Sequence, residues 1–473
     1  MEQLSGPPLC SKVVYASFIV VFFGIGIGWL VKSNLTLTEI HYEFLALPGE
    51  LLLQMLQFLA VPLIFANVAT AVLHLHMSAN RKLMGYSVVY FGITNLMAAI
   101  TGVDCWVLMK QMMQLDTFTG TETEARDYDD DDDEDFWYFS LIWKMVELML
   151  NLFPTNPLGP CFQKYKLELH HIPGDDPDYS EVEAVGHFVD GYNIMGLVTM
   201  AMCVGFCVKY MGGKSRIMAK NIDIIDKAAK TGFRWVRWFM PICLMSFIIT
   251  TIVEGQEWES LLKLARVTAV ILLGLGVHGA ITLPLLYFLF TWKDPRHVLK
   301  GVSPALFSAF AASSSSATMP QTLHCCEERL KLNRGVTRLV LPLGATINMN
   351  GIALFEVVAV LTITQLSKVQ VDLSQTATIL VTAAAFSLGA SGVPATGAMT
   401  TIFILTAVGL PAREAISLLA VEWILDRFKA AVNVLGDCIC AAVCDAWLRQ
   451  ARARAHGAED GEEHETEVWD RQR

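Results

Sequence analysis

Charge is scarce in these 473 residues: 17% are Asp, Glu, Lys or Arg, 53% are hydrophobic, and the mean hydropathy is +0.45. That balance excludes a string of ordinary soluble domains, where about a quarter of residues are charged, and points to one polytopic membrane protein. Metal-ligand and disulfide-framework spacings are also missing. Of eleven cysteines, Cys203, Cys207, Cys243, Cys438, Cys440 and Cys444 sit in apolar runs and Cys325 and Cys326 are adjacent, as befits small buried residues. No nucleophile–base set and no cofactor loop is present, which sets an enzyme aside and leaves no organic cofactor to expect. Nor does the N-terminus read as a cleavable signal peptide, because Val13 to Val31 runs 19 residues without a charge, enough for a first transmembrane helix.

The net charge of −11 is unevenly spread, since the stretches 122 to 135, 175 to 183 and 459 to 473 hold 22 of 46 acids but only three of 35 bases. The body is therefore mildly basic, as expected where Lys and Arg flank spans on the cytoplasmic side, and nothing in it suggests nucleic-acid binding. Further runs of spanning length lie at about 50 to 73, 84 to 109, 136 to 153, 187 to 211, 235 to 253 and 267 to 292. Arg81-Lys82, the eight bases between Lys209 and Arg237, and Lys293 to His297 mark cytoplasmic loops. The acidic connections 122 to 135, 175 to 183 and Glu254 to Glu259 then lie outside. The run 136 to 153 accordingly returns to the same side or shares one span with 187 to 211. Asp129 to Asp133 offers hard oxygen ligands but lacks the spaced ligands and turn glycine of a calcium loop, so it reads as a solvated loop. Asn34-Leu35-Thr36 is the only glycosylation sequon and falls in the first outside loop.

After residue 300 the apolar runs are interrupted at Ser313 to Pro320, at Asn348-Met349-Asn350-Gly351 and at Ser387 to Pro394. Broken backbone at membrane depth must be buried in protein or line a wet cavity. The first and third interruptions suggest two re-entrant helical hairpins, near 302–324 and 370–409, and paired broken segments point to a transporter site. In the last helix Glu422, Asp426, Lys429, Asn433 and Asp437 follow at steps of 4, 3, 4 and 4, which puts all five on one face. A charge near the bilayer centre costs at least about 2.5 to 3.5 kcal/mol, so such a stripe should face a polar cavity. The alternative is a helix lying along the cytoplasmic interface. By residue type, Asp426 accepts from an ammonium, Lys429 is a point-charge partner for a carboxylate, and Asn433 can bond a main-chain carboxylate or ligate a cation. Asp437 supplies an anionic oxygen for a monovalent cation, with carbonyls near Asn348 as co-ligands. Glu356, a carboxyl in an apolar helix, is either a paired interface residue or a proton carrier. His278 reads as an interhelical hydrogen-bond donor.

Ser313 to Pro320, Leu341 to Gly351, Ser387 to Gly397 and Trp423 to Asp437, with Leu47-Pro48-Gly49-Glu50-Leu51 earlier on, resemble the dicarboxylate/amino acid:cation symporter family over nearly the whole length. The resemblance implies an all-α membrane protein of eight transmembrane helices and two re-entrant hairpins, built as inverted repeats. It also implies a homotrimer working by an elevator motion, a multi-pass plasma-membrane transporter surrounded by lipid. On that reading 1–12 is a cytoplasmic N-terminus and 13–253 is mainly scaffold, including a transport-domain helix at 84–109 and an outside insertion at 115–185. Residues 254–447 are mainly transport domain and 448–473 a cytoplasmic tail. Ser314, Ser315, Gly392, Val393, Asp426, Lys429, Ala430 and Asn433 would line the amino acid site. Gly344, Asn348, Asn433 and Asp437 would hold one sodium ion, and Thr346, Ser387, Leu388 and Ala390 a second. Thr94 and Asn350 belong to a third, and Glu356 would couple a proton and potassium.

Three departures bear on selectivity and coupling. Lys429 stands where acidic-substrate members of the family have arginine and neutral-substrate members an uncharged residue, so the charge is kept and the bidentate fork lost. Ile352 and Ala430 replace hydroxyls. Asn350 replaces an aspartate of the third cation site, with Phe91 and Asn95 also altered. The expected function is sodium-coupled symport of glutamate and aspartate. A neutral amino acid exchanger, and an uncoupled anion channel or substrate sensor, are the alternatives.

Overall fold

In hydrocarbon the backbone has no partner but itself, so apolar runs become helices and any break must be covered. A computed structural model describes residues 7–34, 38–73, 81–117, 142–173, 180–254, 257–366, 371, 373–389, 397–408 and 413–471. In its first half α1 (Pro7–Asn34), α2 (Glu39–Leu73) and α3 (Arg81–Thr117) are followed by α4 (142–152), a hairpin of β1 (Gln163–Pro173) and β2 (Ser180–Asp190), α5 (Ile194–Tyr210) and α6 (Arg216–Val253). Next come α7 (Glu257–Val277), a π-helical turn at His278–Thr282 and α8 (Leu283–Thr291). The last third holds α9 (Pro295–Ala312), α10 (Met319–His324), α11 (Arg334–Ile347), α12 (Asn350–Leu366), α13 (Leu373–Gly389), α14 (Gly397–Val408) and α15 (Leu419–Arg471). Among the described residues five stretches are long and apolar enough to cross a membrane: Glu39–Leu73, Lys82–Gln111, Leu262–Thr291, Arg334–Gln365 and Leu419–Ala451. The bent α6 makes a sixth.

Several sequence expectations need correction. Residues 187 to 190 are strand, and α5 begins only at Ile194, where the Asn193 side chain caps Gly196 N at 2.9 Å. The basic stretch from Lys209 to Arg237 is no loop: most of it is the first half of α6, an amphipathic helix that a hydropathy window passes over. The segment 448–473 continues α15 as far as Arg471. His278 is fully buried, yet neither ring nitrogen has a hydrogen-bond partner among the described residues, so the donor role is not realised there. The run Asp129 to Asp133 lies outside the described residues. Asn34 is exposed at the end of α1, its amide donating to Leu30 O at 2.9 Å, while Leu35 and Thr36 of the sequon lie outside.

Residues 163–190 depart from an all-helical reading. Period-two alternation of Tyr165, Leu167 and Leu169 makes β1, which pairs antiparallel with β2 from Gln163 opposite Asp190 to Pro173 opposite Ser180. Its base is clamped by amides. Asn151, near the end of α4, donates to Tyr165 O at 2.7 Å and accepts from Tyr165 N at 3.0 Å, while Asn193 donates to Asn151 O at 2.8 Å. Farther along, Glu147 accepts from Leu167 N at 2.8 Å and pairs with Lys144 at 2.9 Å. The hairpin thus runs back along α4, and amide bonds tie the end of α4 to the start of α5.

Two sets of helices pack largely among themselves. α1 and α5 flank the pair α2 and α6, whereas α12 sits at the centre of the other set, against α3, α7, α13, α14 and α15. Every residue from Met349 to Thr364 is buried. α9 and α11 pack against α15, which brings the first broken segment to the charged stripe.

Candidate functional site

The steps of 4, 3, 4 and 4 along α15 do place Glu422, Asp426, Lys429, Asn433 and Asp437 together, and all five are buried. This removes the alternative of a helix with a wet interfacial face. Desolvated charges must be matched, and the central pair is: Lys429 Nζ lies 2.7 Å from Asp426 Oδ1 and 4.0 Å from the centre of the Phe355 ring. Glu422 accepts from Gly397 N, where α14 begins. A Cβ at Gly397 would come within 2.7 Å of Lys429 Nζ and 2.9 Å of Glu422 Oε1 and the Phe355 ring, so glycine lets the start of α14 sit on the ion pair without displacing these side chains. Gly351 answers the same need on the other side, because a Cβ there would meet the Lys429 backbone at 2.8 Å.

The first broken segment is a hairpin. α9 ends on Ser313, whose φ of 52° is left-handed, and the chain turns through Ser314 to Thr318 into α10 and a π-helical turn at Cys325–Arg329. Ser314 Oγ accepts from Ala317 N at 3.3 Å, and Thr318 Oγ1 lies 3.0 Å from the carbonyls of Ser314 and Ser315. Ser315 is buried and Ser314 half-buried. Arg427, which sequence reasoning missed, reaches from α15 to the last carbonyls of α9, Phe310 O at 3.3 Å and Ala311 O at 3.2 Å. It satisfies a helix end that hydrocarbon could not. The only local signal was a second base, two residues before Lys429.

Between α11 and α12 the helix breaks at Asn348 and Met349. Asn348 Nδ2 donates to Asp437 Oδ1 at 2.9 Å, and its Oδ1 lies 3.0 Å from Thr94 Oγ1. Asn433 accepts from Gly351 N at 2.7 Å and donates to Met349 Sδ at 3.3 Å. Asn350 is fully buried with both amide atoms unpartnered among the described residues. Close by in sequence to Thr94, Asn95 donates to Ile347 O at 3.2 Å and leaves its own oxygen unpartnered, and Phe91 is fully buried. This is a nest of amide and carbonyl oxygens with Asp437 at its edge, chemistry suited to a monovalent cation. Gly344 lies so near Asp437 that a Cβ would collide with the carboxylate.

The other expected residues are more scattered. Thr346 is half-buried, its hydroxyl 2.8 Å from Leu343 O, and Ser387 is fully buried with its hydroxyl on Ala384 O at 2.7 Å. Leu388 lies in the last turn of α13, and Ala390, Gly392 and Val393 lie outside the described residues. Ile352 and Ala430 are buried and apolar. Glu356, fully buried on α12, accepts from the hydroxyls of Thr400 and, at 2.8 Å, Thr401 on α14. Those two threonines were not foreseen, because partners 44 and 45 residues away leave no local trace.

The broken segment between α9 and α10, the break between α11 and α12 and the buried charged face of α15, in a chain with several helices long and apolar enough to span a bilayer, define a multi-pass membrane transporter. The chain belongs to the Sodium:dicarboxylate symporter family, which it matches over residues 13–447. It is 34% identical over 450 residues to Excitatory amino acid transporter 3 of Homo sapiens, covering 90% of this chain and 83% of that one. Neutral amino acid transporter A of Homo sapiens is 34% identical over 427 residues, 89% of this chain and 79% of that protein. An Excitatory amino acid transporter of Caenorhabditis elegans is 32% identical over 443 residues, 89% and 85% of the two chains.

Proposed function

We propose that this protein is a sodium-coupled symporter of acidic amino acids, glutamate and aspartate. The observation that carries the reading is the buried pair of Lys429 and Asp426, 2.7 Å apart on the face of α15 that meets α12 and α14. An acidic amino acid brings one ammonium and two carboxylates. Asp426 takes the ammonium and Lys429 the side-chain carboxylate, each exchanging its partner in the pair for a group of opposite charge on the substrate. Asn433 and Ser315, with the Ser314, Gly392 and Val393 backbone, take the main-chain carboxylate, and Ala430 packs beside it. Asn433 must then release Gly351 N, which ties substrate entry to the break between α11 and α12.

Sodium is cargo. Gly344 O, Asn348, Asn433 and Asp437 suit one ion, and Thr346, Ser387, Leu388 and Ala390 a second. Around Thr94 and Asn350 the donors are neutral, so a third ion would be held weakly there, with fewer charges coupled per substrate. Glu356, bonded by two hydroxyls in an otherwise apolar helix, is the proton carrier, with potassium returning in its stead. The eight-helix count, the homotrimer, and an elevator motion of the α3 and α7–α15 set against the α1, α2, α5 and α6 set complete the reading.

A neutral amino acid exchanger is the second reading. It is favoured by the apolar Ile352 and Ala430 beside the pair and by the likeness to Neutral amino acid transporter A. Uptake of labelled L-glutamate, L-aspartate and L-serine into proteoliposomes separates the two. Sodium-dependent accumulation of the acidic pair is expected. Serine uptake alone would move the protein to the neutral group, and a chloride-reversing current without accumulation would make it a channel.

A further inference from the structure

The first half of α6 is more than a span needs. Thirty-eight residues reach about 57 Å at 1.5 Å each, against about 30 Å of hydrocarbon. The helix bends by 41° between the segments ending at Val236 and beginning at Trp238. Before the bend it shows three faces. Ile222, Asp226, Ala229 and Phe233 are buried and face the protein. Arg216, Lys220, Lys227 and Arg234, at steps of 4, 7 and 7, form an exposed basic stripe. Ile217, Ile224 and Trp235 form an exposed apolar one, with Ile217 79% and Trp235 69% accessible.

The stripe carries four bases and one acid, the half-buried Asp223 between Lys220 and Lys227. Lys230 is taken by Asp226 at 2.7 Å, but among the described residues no carboxylate pairs with Arg216, Lys220 or Lys227. A purely lipid-facing helix would not carry these bases, and a water-facing one would not carry the isoleucines and tryptophan. Side by side they fit only a headgroup boundary, with the apolar stripe in the acyl region and the ammonium groups among phosphates. The geometry points to residues 216–235 as a docking surface for anionic phospholipid of the inner leaflet, where the surrounding bases place this end of the helix. This lies outside the substrate site, since α6 packs chiefly on α1 and α2.

The test uses the purified full-length protein titrated with phosphatidylserine or phosphatidylcholine, with bound lipid counted by native mass spectrometry. Lys220→Gln/Lys227→Gln should weaken phosphatidylserine binding about 30-fold, as expected for two bases at a charged surface, and leave phosphatidylcholine binding unchanged. Lys220→Arg/Lys227→Arg should restore it, which a merely misfolded variant cannot explain. Equal affinity of the Gln variant for phosphatidylserine would overturn the proposal. So would binding of glycerophosphoserine, which has no acyl chains, as tight as that of the lipid. Loss of the oligomer with lipid binding intact would give this face to a second copy of the chain, and would overturn it as well.

Discussion

Removing the Lys429 ammonium takes from Asp426 the ion-pair partner it holds at 2.7 Å, and losing one member of a buried pair costs about 3–5 kcal/mol. A loss of uptake in Lys429→Cys would therefore mix binding with stability. Lys429→Arg separates them: the charge stays, the fork returns, and the concentration of glutamate giving half-maximal uptake should fall while the melting temperature in detergent holds. At Glu356 the expectation concerns stability. Thr401→Val leaves a buried carboxyl oxygen without its donor, at a cost of about 1–3 kcal/mol, read as a lower unfolding midpoint of the purified protein. Asn350→Asp, which puts a carboxylate among the neutral oxygens near Thr94, should steepen the sodium dependence of uptake.

At the scale of elements, the tip of the first hairpin depends on α15 through Arg427. Arg427→Ala frees the carbonyls of Phe310 and Ala311, and a cysteine placed at the exposed Ser316 should then react faster with a water-soluble maleimide. The outer hairpin answers to pH. Burial pulls the Lys164 ammonium down to about 8, with Glu147 opposing, whereas an unfolded lysine titrates near 10.5. The unfolded hairpin thus binds more protons between those values, and its protection from hydrogen exchange, corrected for intrinsic rate, should rise with pH across that window and flatten in Lys164→Met. These elements also mark what the sequence could reveal. The charged face of α15 was legible because a period of 3.6 writes itself into residue spacing, and the first hairpin because serines and Pro320 interrupt an apolar run. The first half of α6 was not, since a helix divided between core, lipid and headgroups has no net hydropathy. The alternation in β1 was present but lay inside an acidic insertion. Arg427, Thr400 and Thr401 act through contacts far along the chain, which no local pattern encodes.

For the molecule as a whole, two sets of helices meet along α2, α5, α13 and α14. If α1, α2, α5 and α6 are the fixed set, native mass spectrometry should find a trimer that persists when the site is altered at Lys429. The clamp of Asn151, Asn193 and Tyr165 has a practical corollary. It fixes the point where α4 passes the chain to α5, and the eleven paired positions of β1 and β2 separate that point from Pro173 and Ser180. On the proposed topology, an epitope inserted between Pro173 and Ser180 would stand outside the cell and report delivery to the surface on intact cells, leaving transport to be measured on the same population.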